Sequence, residues 1–323
     1  MIRPTRCRPA HALHFPKSER TMTQKTFLLQ VGAPKAGTTW LHSQLARHPR
    51  CDMGFMKEYH IWDALTLPTE ADFRTNTRKA IDNARRAPWT MLQPRKAVHL
   101  YRMLRRNALY RNPERYFDYF AGLLDKRNVD LTADITPSYC GLSEETIARI
   151  RDGFQSRGIT FKLIYLMRDP VERLWSEVRM HRQRPARDTR TLQQQQMPEI
   201  DHLRSRYDSP RFHLRGDYHR TLARLRALFD PSEIHVALFE ELFTPETAHA
   251  IATYLNLAES APDSEHRVNV TVKKLNLAED LQRDIALCYR DAYTAAADWL
   301  GRERIAARWP SLSLLDPVPG VAA

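Results

Sequence analysis

Long apolar runs are missing from this 323-residue sequence. No stretch approaches the roughly 18 residues needed to cross a bilayer, so no integral membrane segment is expected. Cysteine is scarce: Cys7, Cys51, Cys140 and Cys288 are widely scattered, with no C-x-x-C pair. Nothing in that spacing suggests a zinc site or a disulfide framework. The default compartment is a reducing one, the cytoplasm, with each cysteine a small buried hydrophobe. No internal repeat is visible, and no linker divides residues 25–323. With 42% hydrophobic and 27% charged residues, the composition is that of an ordinary globular domain.

What the chain has in excess is positive charge: a formal net charge of +12 and a pI near 9.7. That balance favours anionic partners such as nucleotides, phosphorylated or sulfated ligands, acidic glycans, nucleic acid or a lipid surface. The bland alternative is arginine spread over solvated faces. Residues 1–24 carry five Lys/Arg against the single Glu19 and no apolar core long enough for a secretory signal. They read as a basic disordered tail, an organelle transit peptide, or the result of a start placed too early, with Met22 the true beginning.

The organising stretch is Gly32-Ala33-Pro34-Lys35-Ala36-Gly37-Thr38-Thr39-Trp40. It follows an apolar run, Phe27 to Val31, that reads as a buried strand, and it leads into a helix ending before Pro49. A strand, a glycine-bearing turn and a helix start aim backbone N–H groups and a positive dipole end at one point, which suits phosphate or sulfate. Two glycines allow close backbone approach, and Lys35 adds a full charge. The ordinary nucleoside-triphosphatase loop has its lysine directly after the second glycine. Here Thr38 stands in that place and the lysine lies inside the turn, so a loop of similar shape for a different nucleotide is the better reading. The competing reading is a tight turn whose Gly and Pro only set dihedrals.

A second landmark is Phe161 to Met167, an apolar run suited to a central parallel strand, which empties into Arg168-Asp169-Pro170 and a helix reaching about His181. Ligands in open α/β sheets collect at the carboxyl ends of strands, which puts Arg168 on the same rim as Lys35. Ser176 follows two helical turns on, about 9–12 Å away by helical rise. A metal-dependent phosphotransferase would want an acidic residue at that strand end to hold Mg²⁺. Arginine comes first, and Asp169 alone keeps that reading open.

Between the landmarks, Lys57, Glu58 and His60 form a cluster capable of acid–base work. Residues 64–128 read as basic packing helices, with a wall for an acidic acceptor as a minor option. Val129 to Asp134 alternates as a strand, followed by a helix capped by Ser143. Residues 182–215 read as a polar, irregular, mobile excursion. Gly216-Asp217-Tyr218 opens a helix, Ile234 to Phe239 is another buried strand, a helix runs from about Pro245 to Leu257, residues 266–274 form a basic loop, and 276–300 read as one long closing helix. The fold expected is α/β: one domain with a central parallel sheet, a P-loop-like turn, and helices on both faces.

G-x-P-K-x-G-T-T after the first strand, with R-D-P-V-E-R-x-x-S after a later one, resembles the sulfotransferase family, whose donor is 3′-phosphoadenosine-5′-phosphosulfate (PAPS) and whose product nucleotide is the bisphosphate PAP. The resemblance runs from about Phe27 to Trp309. It implies that Lys35, Gly37, Thr38 and Thr39, with Ala36 and Trp40 beside them, hold the 5′-phosphosulfate, and that Arg168 and Ser176 hold the 3′-phosphate. It places Tyr218 and a basic loop carrying Lys273 and Lys274 in the donor site as well. Lys57-Glu58-Tyr59-His60 is similar to the K-E-x-H segment of the glycan-modifying members, heparan sulfate sulfotransferases among them, which implies Glu58 as general base with His60 beside it. No metal is implied. Two departures stand out: Ile135 replaces a lysine of the heparan-type pattern, and the late cysteine pair of those secreted relatives is missing. Both point away from an animal Golgi enzyme with a heparan-like acceptor and towards a soluble, bacterial-type member. The acceptor hydroxyl is open among a sugar, a lipid-linked glycan, tyrosine or a small molecule, with a glycan sugar first because of the K-E-x-H segment. The alternatives are a P-loop-like phosphotransferase using ATP or GTP, and a non-catalytic nucleic-acid binder exploiting the charge.

Overall fold

The computed structural model describes residues 24–183, 189–257 and 275–316. The basic segment before Gln24 and the loop carrying Lys273 and Lys274 lie outside the described residues. Four parallel strands, β1 (Thr26–Gln30), β2 (Leu131–Ile135), β3 (Thr160–Met167) and β4 (Ile234–Leu238), make one sheet in the order β2-β1-β3-β4. Each coincides within two residues with a run read from the sequence. β1 and the second half of β3 are sealed on both faces, as continuous apolar runs in a parallel sheet require. β2 is wholly buried despite its polar alternation. Its Thr132 hydroxyl donates to the Asp52 carbonyl at 2.7 Å, and Asp134 accepts from the hydroxyls of Tyr116 and Tyr139.

Parallel strands need long crossovers, and helices supply them. α1 (Thr38–Arg47), α2 (Trp62–Thr66), α3 (Asp72–Arg86), α4 (Pro94–Arg111) and α5 (Glu114–Leu124) separate β1 from β2, and α6 (Glu144–Gln155) separates β2 from β3. Ser143 caps α6 by accepting from the Thr146 N–H, and Phe27 of β1 stacks on Phe154 of α6 at 3.7 Å. Between β3 and β4 come α7 (Pro170–Gln183), α8 (Thr189–Gln196), α9 (Glu199–Arg204), α10 (Pro210–Gly216) and α11 (Tyr218–Leu228). α12 (Pro245–Tyr254), α13 (Glu279–Cys288), α14 (Arg290–Leu300) and α15 (Arg302–Arg308) follow β4. The chain leaves β1 for β2 on one side and later enters β3 on the other. The strand order therefore reverses at β1, and the carboxyl ends of β1 and β3 flank the switch point where open α/β sheets bind ligands.

Two sequence expectations need correction. The described parts of 182–215 are helical rather than irregular, because Gln, Arg and Leu are good helix formers and Pro198 and Pro210 sit where they start helices. The single closing helix is two, broken at Tyr289 (φ −109°, ψ 22°). Tertiary contacts hold that break: the Tyr289 ring stacks on His213 and its hydroxyl donates to the Tyr207 carbonyl at 2.7 Å. The excursion is tied down by buried charge. Arg173 donates to Glu177 at 2.8 Å, and Arg215 of α10 donates to Glu177 and to Glu70 at 2.6 and 2.7 Å. Burial alone would raise the Glu177 carboxyl, but Arg215 and Arg173 outweigh it and hold it at about 2. Among the described residues, no helix is long and apolar enough to cross a membrane.

Gly37 joins the first strand's loop to α1 with φ +90°, and a Cβ there would lie 2.3 Å from Leu242 Cδ2. Gly37→Ala is expected to lower stability by about 1–3 kcal/mol, from the left-handed backbone and the crowded Leu242 together. Thermal unfolding of the two proteins checks this.

Candidate active site

The loop after β1 is anchored to β3 rather than floating above it. Val31 N–H donates to the Ile164 carbonyl, Ala33 N–H to Leu166, and Leu166 N–H back to Gly32, at 3.2, 2.6 and 2.7 Å. Lys35 (φ 70°) and Gly37 (φ 90°) are both left-handed, and α1 starts at Thr38. The Trp40 and Leu41 N–H groups both donate to the Gly37 carbonyl, at 2.9 and 3.2 Å, and helix geometry leaves the Thr38 and Thr39 N–H groups before them without intrahelical acceptors at the switch point. Ala36 and Thr38 are buried beneath the turn, whereas Lys35 and Thr39 are partly open. Trp40 is buried against Phe243 in an edge-on ring contact of 5.7 Å, so in this structure it packs in the core.

Arg168, at the end of β3, reaches the same loop. Its Nη1 donates to the Lys35 carbonyl at 3.3 Å and its Nη2 to Glu172 at 3.4 Å, while its guanidinium lies 4.3 Å from the Phe239 ring. The Tyr218 hydroxyl donates to the Arg168 carbonyl at 2.7 Å, which fixes the strand end. Arg168 Nε is buried with no hydrogen-bond partner. Asp169, the residue that kept a cation site open, points elsewhere. Its Oδ1 accepts from the Val171 N–H and the Tyr293 hydroxyl, and its Oδ2 from the Ser311 N–H. It caps α7 and braces the C-terminal helices.

The Lys57–His60 segment arrives at the same place. Lys57 Nζ donates to Thr39 Oγ1 at 2.6 Å and to Glu58 Oε1 at 2.8 Å, joining the loop helix to the acid–base cluster. Glu58 Oε2 lies 3.2 Å from His60 Nε2, and His60 Nδ1 lies 2.7 Å from Asp63 Oδ2, which also accepts from the Ser138 hydroxyl. His60 is stacked on Phe73 at 3.5 Å. The backbone around it is held from β2: Thr136 accepts from the Tyr59 N–H at 3.0 Å and donates to Asp134 at 2.6 Å. Arg106 of α4 donates to the Glu58 carbonyl at 2.8 Å, and Tyr110 to that of His60 at 2.9 Å.

Burial pushes the Glu58 carboxyl up, but the His60 hydrogen bond and the Lys57 charge outweigh it and hold the group well below the usual carboxylate range. For His60, burial works against the charged form, and the hydrogen bonds to Asp63 and Glu58 overcome it, so its pKa is raised. Glu58 is therefore ionised, keeps about a third of its side chain exposed (35%), and stands beside His60, whose charged form its neighbours favour.

Ser176 is buried on α7. Arg179 lies one turn further along the same helix, and helical side chains lean towards the N-terminus. Its guanidinium sits 4.6 Å from the Trp175 ring, and its Nε and Nη1 are buried without hydrogen-bond partners. Burial lowers its pKa, the carboxylates of Glu172 and Glu199 work against that, and Arg168 lowers it a little further. The sequence reading passed over Arg179, and also over Asp63, Ser138 and Arg106. Asp63 could have been found as the i+3 partner of His60 on a helix start. The other three are brought in by tertiary contacts.

No protein-family model matches the chain, and no curated protein matches it. Among solved structures, it is similar to a sulfotransferase from Alicyclobacillus acidocaldarius, with a TM-score of 0.53 and 20% sequence identity over 86% of this chain and 96% of that one. The fold is a sulfotransferase fold. Two further structures are more distant: the sulfotransferase domain from the Synechococcus PCC 7002 olefin synthase, at TM-score 0.40 and 13% identity over 74% of this chain and 76% of that one, and the sulfotransferase domain from the curacin biosynthetic pathway, at 0.38 and 13% over 73% and 75%. Within the sulfotransferase fold, the loop after β1, Arg168 after β3 and the Glu58 segment meet at one rim.

Proposed function

We propose that this protein is a PAPS-dependent sulfotransferase that moves a sulfuryl group to an acceptor hydroxyl, on a carbohydrate first among the candidates. The observation that supports the reading is the set of contacts Arg168–Lys35 and Thr39–Lys57–Glu58, which bring the loop after β1, a second cation and an ionised carboxylate to one rim. The orphaned buried nitrogens of Arg168 and Arg179 fit an anionic group, since each is a donor that a phosphate oxygen would satisfy.

PAPS supplies the sulfuryl group, whose bond to the bridging phosphate oxygen breaks as the acceptor oxygen bonds to sulfur. Glu58 accepts the acceptor's hydroxyl proton during the attack. Lys35, with the N–H groups of the loop and first helical turn, stabilises negative charge on the departing bridging oxygen. Lys57 holds Glu58 against the loop, while Asp63 and Ser138 fix the orientation of His60. Arg168, Ser176 and Arg179 hold the 3′-phosphate. Trp40 packs beneath the loop, and Tyr218 acts through Arg168 by fixing its backbone. Two substrates aligned in one crevice supply the positioning that direct transfer needs.

Arg179 allows a sharp test. Arg179→Ala is expected to weaken PAP binding about 10–100-fold, the value of a lost charge-assisted hydrogen bond, while leaving AMP, which lacks the 3′-phosphate, nearly unaffected. Calorimetry with both nucleotides reads the difference.

A carbohydrate acceptor is supported by the K-E-x-H segment, and a cleft lies between α3 and α4, the helices that bring Phe73, Arg106 and Tyr110 to that segment. That cleft encloses about 280 Å³ and is lined by Arg78, Arg85, Arg111, Asp82 and Asn107. Such a set of donors suits hydroxyls and acidic substituents on a glycan. The experiment is incubation with radiolabelled PAPS and a panel of glycans, phenols and tyrosine peptides. Transfer to a glycan supports the reading, transfer only to phenols or peptides overturns the acceptor class, and neither transfer nor PAP binding overturns the reaction.

A further inference from the structure

Outside the donor crevice, three metal-ligating side chains meet where the α9–α10 connection touches the end of α13. Asp208 Oδ1 lies 2.8 Å from His213 Nε2, and Cys288 Sγ lies 3.6 Å from each of those atoms. They form the one such mixed cluster among the described residues. The other imidazole nitrogen, His213 Nδ1, is 3.2 Å from Asp217 Oδ1. We propose that Asp208, His213 and Cys288 form a tetrahedral binding site for a divalent ion of zinc type, completed by water, which clamps the α9–α10 connection to α13.

The argument is first one of distances. Zinc bonds of about 2.3 Å to sulfur and 2.0–2.2 Å to nitrogen and oxygen, at tetrahedral angles, place ligand atoms about 3.3–3.6 Å apart. The two contacts to sulfur already have that spacing. The Asp208–His213 pair is shorter because it is a hydrogen bond, and Asp208, with 74% of its side chain exposed, has room to withdraw by the half ångström required. The second argument is chemical. One thiolate, one imidazole and one carboxylate make a donor set that suits a borderline ion such as Zn²⁺ and not Mg²⁺ or Ca²⁺, which take oxygen. The third is orientation. Asp217 accepts the Nδ1–H of His213, so Nε2, once its proton is displaced, presents its lone pair to the ion, and such an outer-shell partner is usual for a metal-bound histidine. Stacking on Tyr289 holds the ring at 5.1 Å, so the imidazole is placed before any ion arrives.

Binding displaces protons. As the ion binds, the Cys288 S–H proton and the His213 Nε2–H proton that Asp208 accepts both leave to solvent. The bound ion would connect elements separated by about 80 residues. Asp217 directly precedes Tyr218, whose hydroxyl fixes Arg168, so the clamp also stiffens the donor-side end of α11.

The test is titration of the metal-free full-length protein with Co²⁺, followed by absorbance. One ion per chain and a thiolate-to-cobalt charge-transfer band are expected. Cys288→Ser should abolish the band, and Asp217→Asn should keep it while weakening affinity about 10–100-fold. Asp208→Ala is a control that an exposed residue makes safe for folding, and it should remove the rise in melting temperature that Zn²⁺ gives the parent protein. Absence of the band in the parent protein, its persistence in Cys288→Ser, or a Zn²⁺-induced melting shift unchanged in Asp208→Ala overturns the proposal.

Discussion

Glu58→Gln is expected to lower kcat by about 10²–10⁴-fold while changing PAP affinity little, because general-base help is worth that much and the amide keeps the shape of the group. The geometry makes the direction plain. Glu58 is ionised, part-exposed, and held between Lys57 and His60, so the wild-type carboxylate can take a proton that the amide cannot. Because those partners hold its pKa well below the usual carboxylate range, kcat/KM should lack the acid limb that an ordinary glutamate base shows near about pH 4.3. His60→Asn separates the roles further. If His60 only orients and charges the site, kcat falls less than in Glu58→Gln, and the double variant is no worse than Glu58→Gln alone. A Glu58→Gln protein with near-normal turnover would pass the base to His60.

Lys35→Ala is the second large effect. It should cut kcat about 10²–10³-fold, the scale seen when one donor to a developing oxyanion is removed, and weaken donor binding as well. Lys35 takes part in the loop by its left-handed backbone and by the carbonyl that receives Arg168. An alanine forced into φ 70° adds strain, so Lys35→Asn, whose residue tolerates that conformation, is the control. Activity lost equally in both variants with melting temperature unchanged assigns the effect to the ammonium group. Activity retained in Lys35→Asn would contradict the proposed role of the charge.

Much of this site was legible in the sequence because its parts are local. A strand, a left-handed turn and a helix start are written within about a dozen residues around Gly37, and Arg168-Asp169-Pro170 marks a strand end and helix start in the same way. β1 and β3 could be read because burial on both faces leaves apolar runs, β4 from a shorter run of the same kind, and β2 from its alternation. What escaped the sequence is what depends on side chains meeting across the fold. Asp169 looked like a possible cation ligand until the Tyr293 hydroxyl and the Ser311 N–H were seen to occupy it. Arg179 looked like one more basic residue on a helix until its neighbours left two of its buried nitrogens without partners. The break at Tyr289 and the helices of 189–216 were missed because packing and helix propensity, not turn residues, decide them. Cys288 looked like a lone buried thiol because its companions lie about 80 residues earlier in the chain.

The reading of the crevice depends on one nucleotide being gripped from two strand ends. The most direct measurement is calorimetry of the full-length protein with PAP, with ATP in the presence and absence of Mg²⁺, and with a DNA duplex, repeated on Arg168→Ala. The account predicts metal-independent binding of PAP that is tighter than that of ATP or duplex and is lost or weakened at least tenfold in Arg168→Ala. Binding of ATP that requires Mg²⁺ with none of PAP, tight salt-dependent binding of the duplex alone, or PAP affinity indifferent to Arg168 would contradict it.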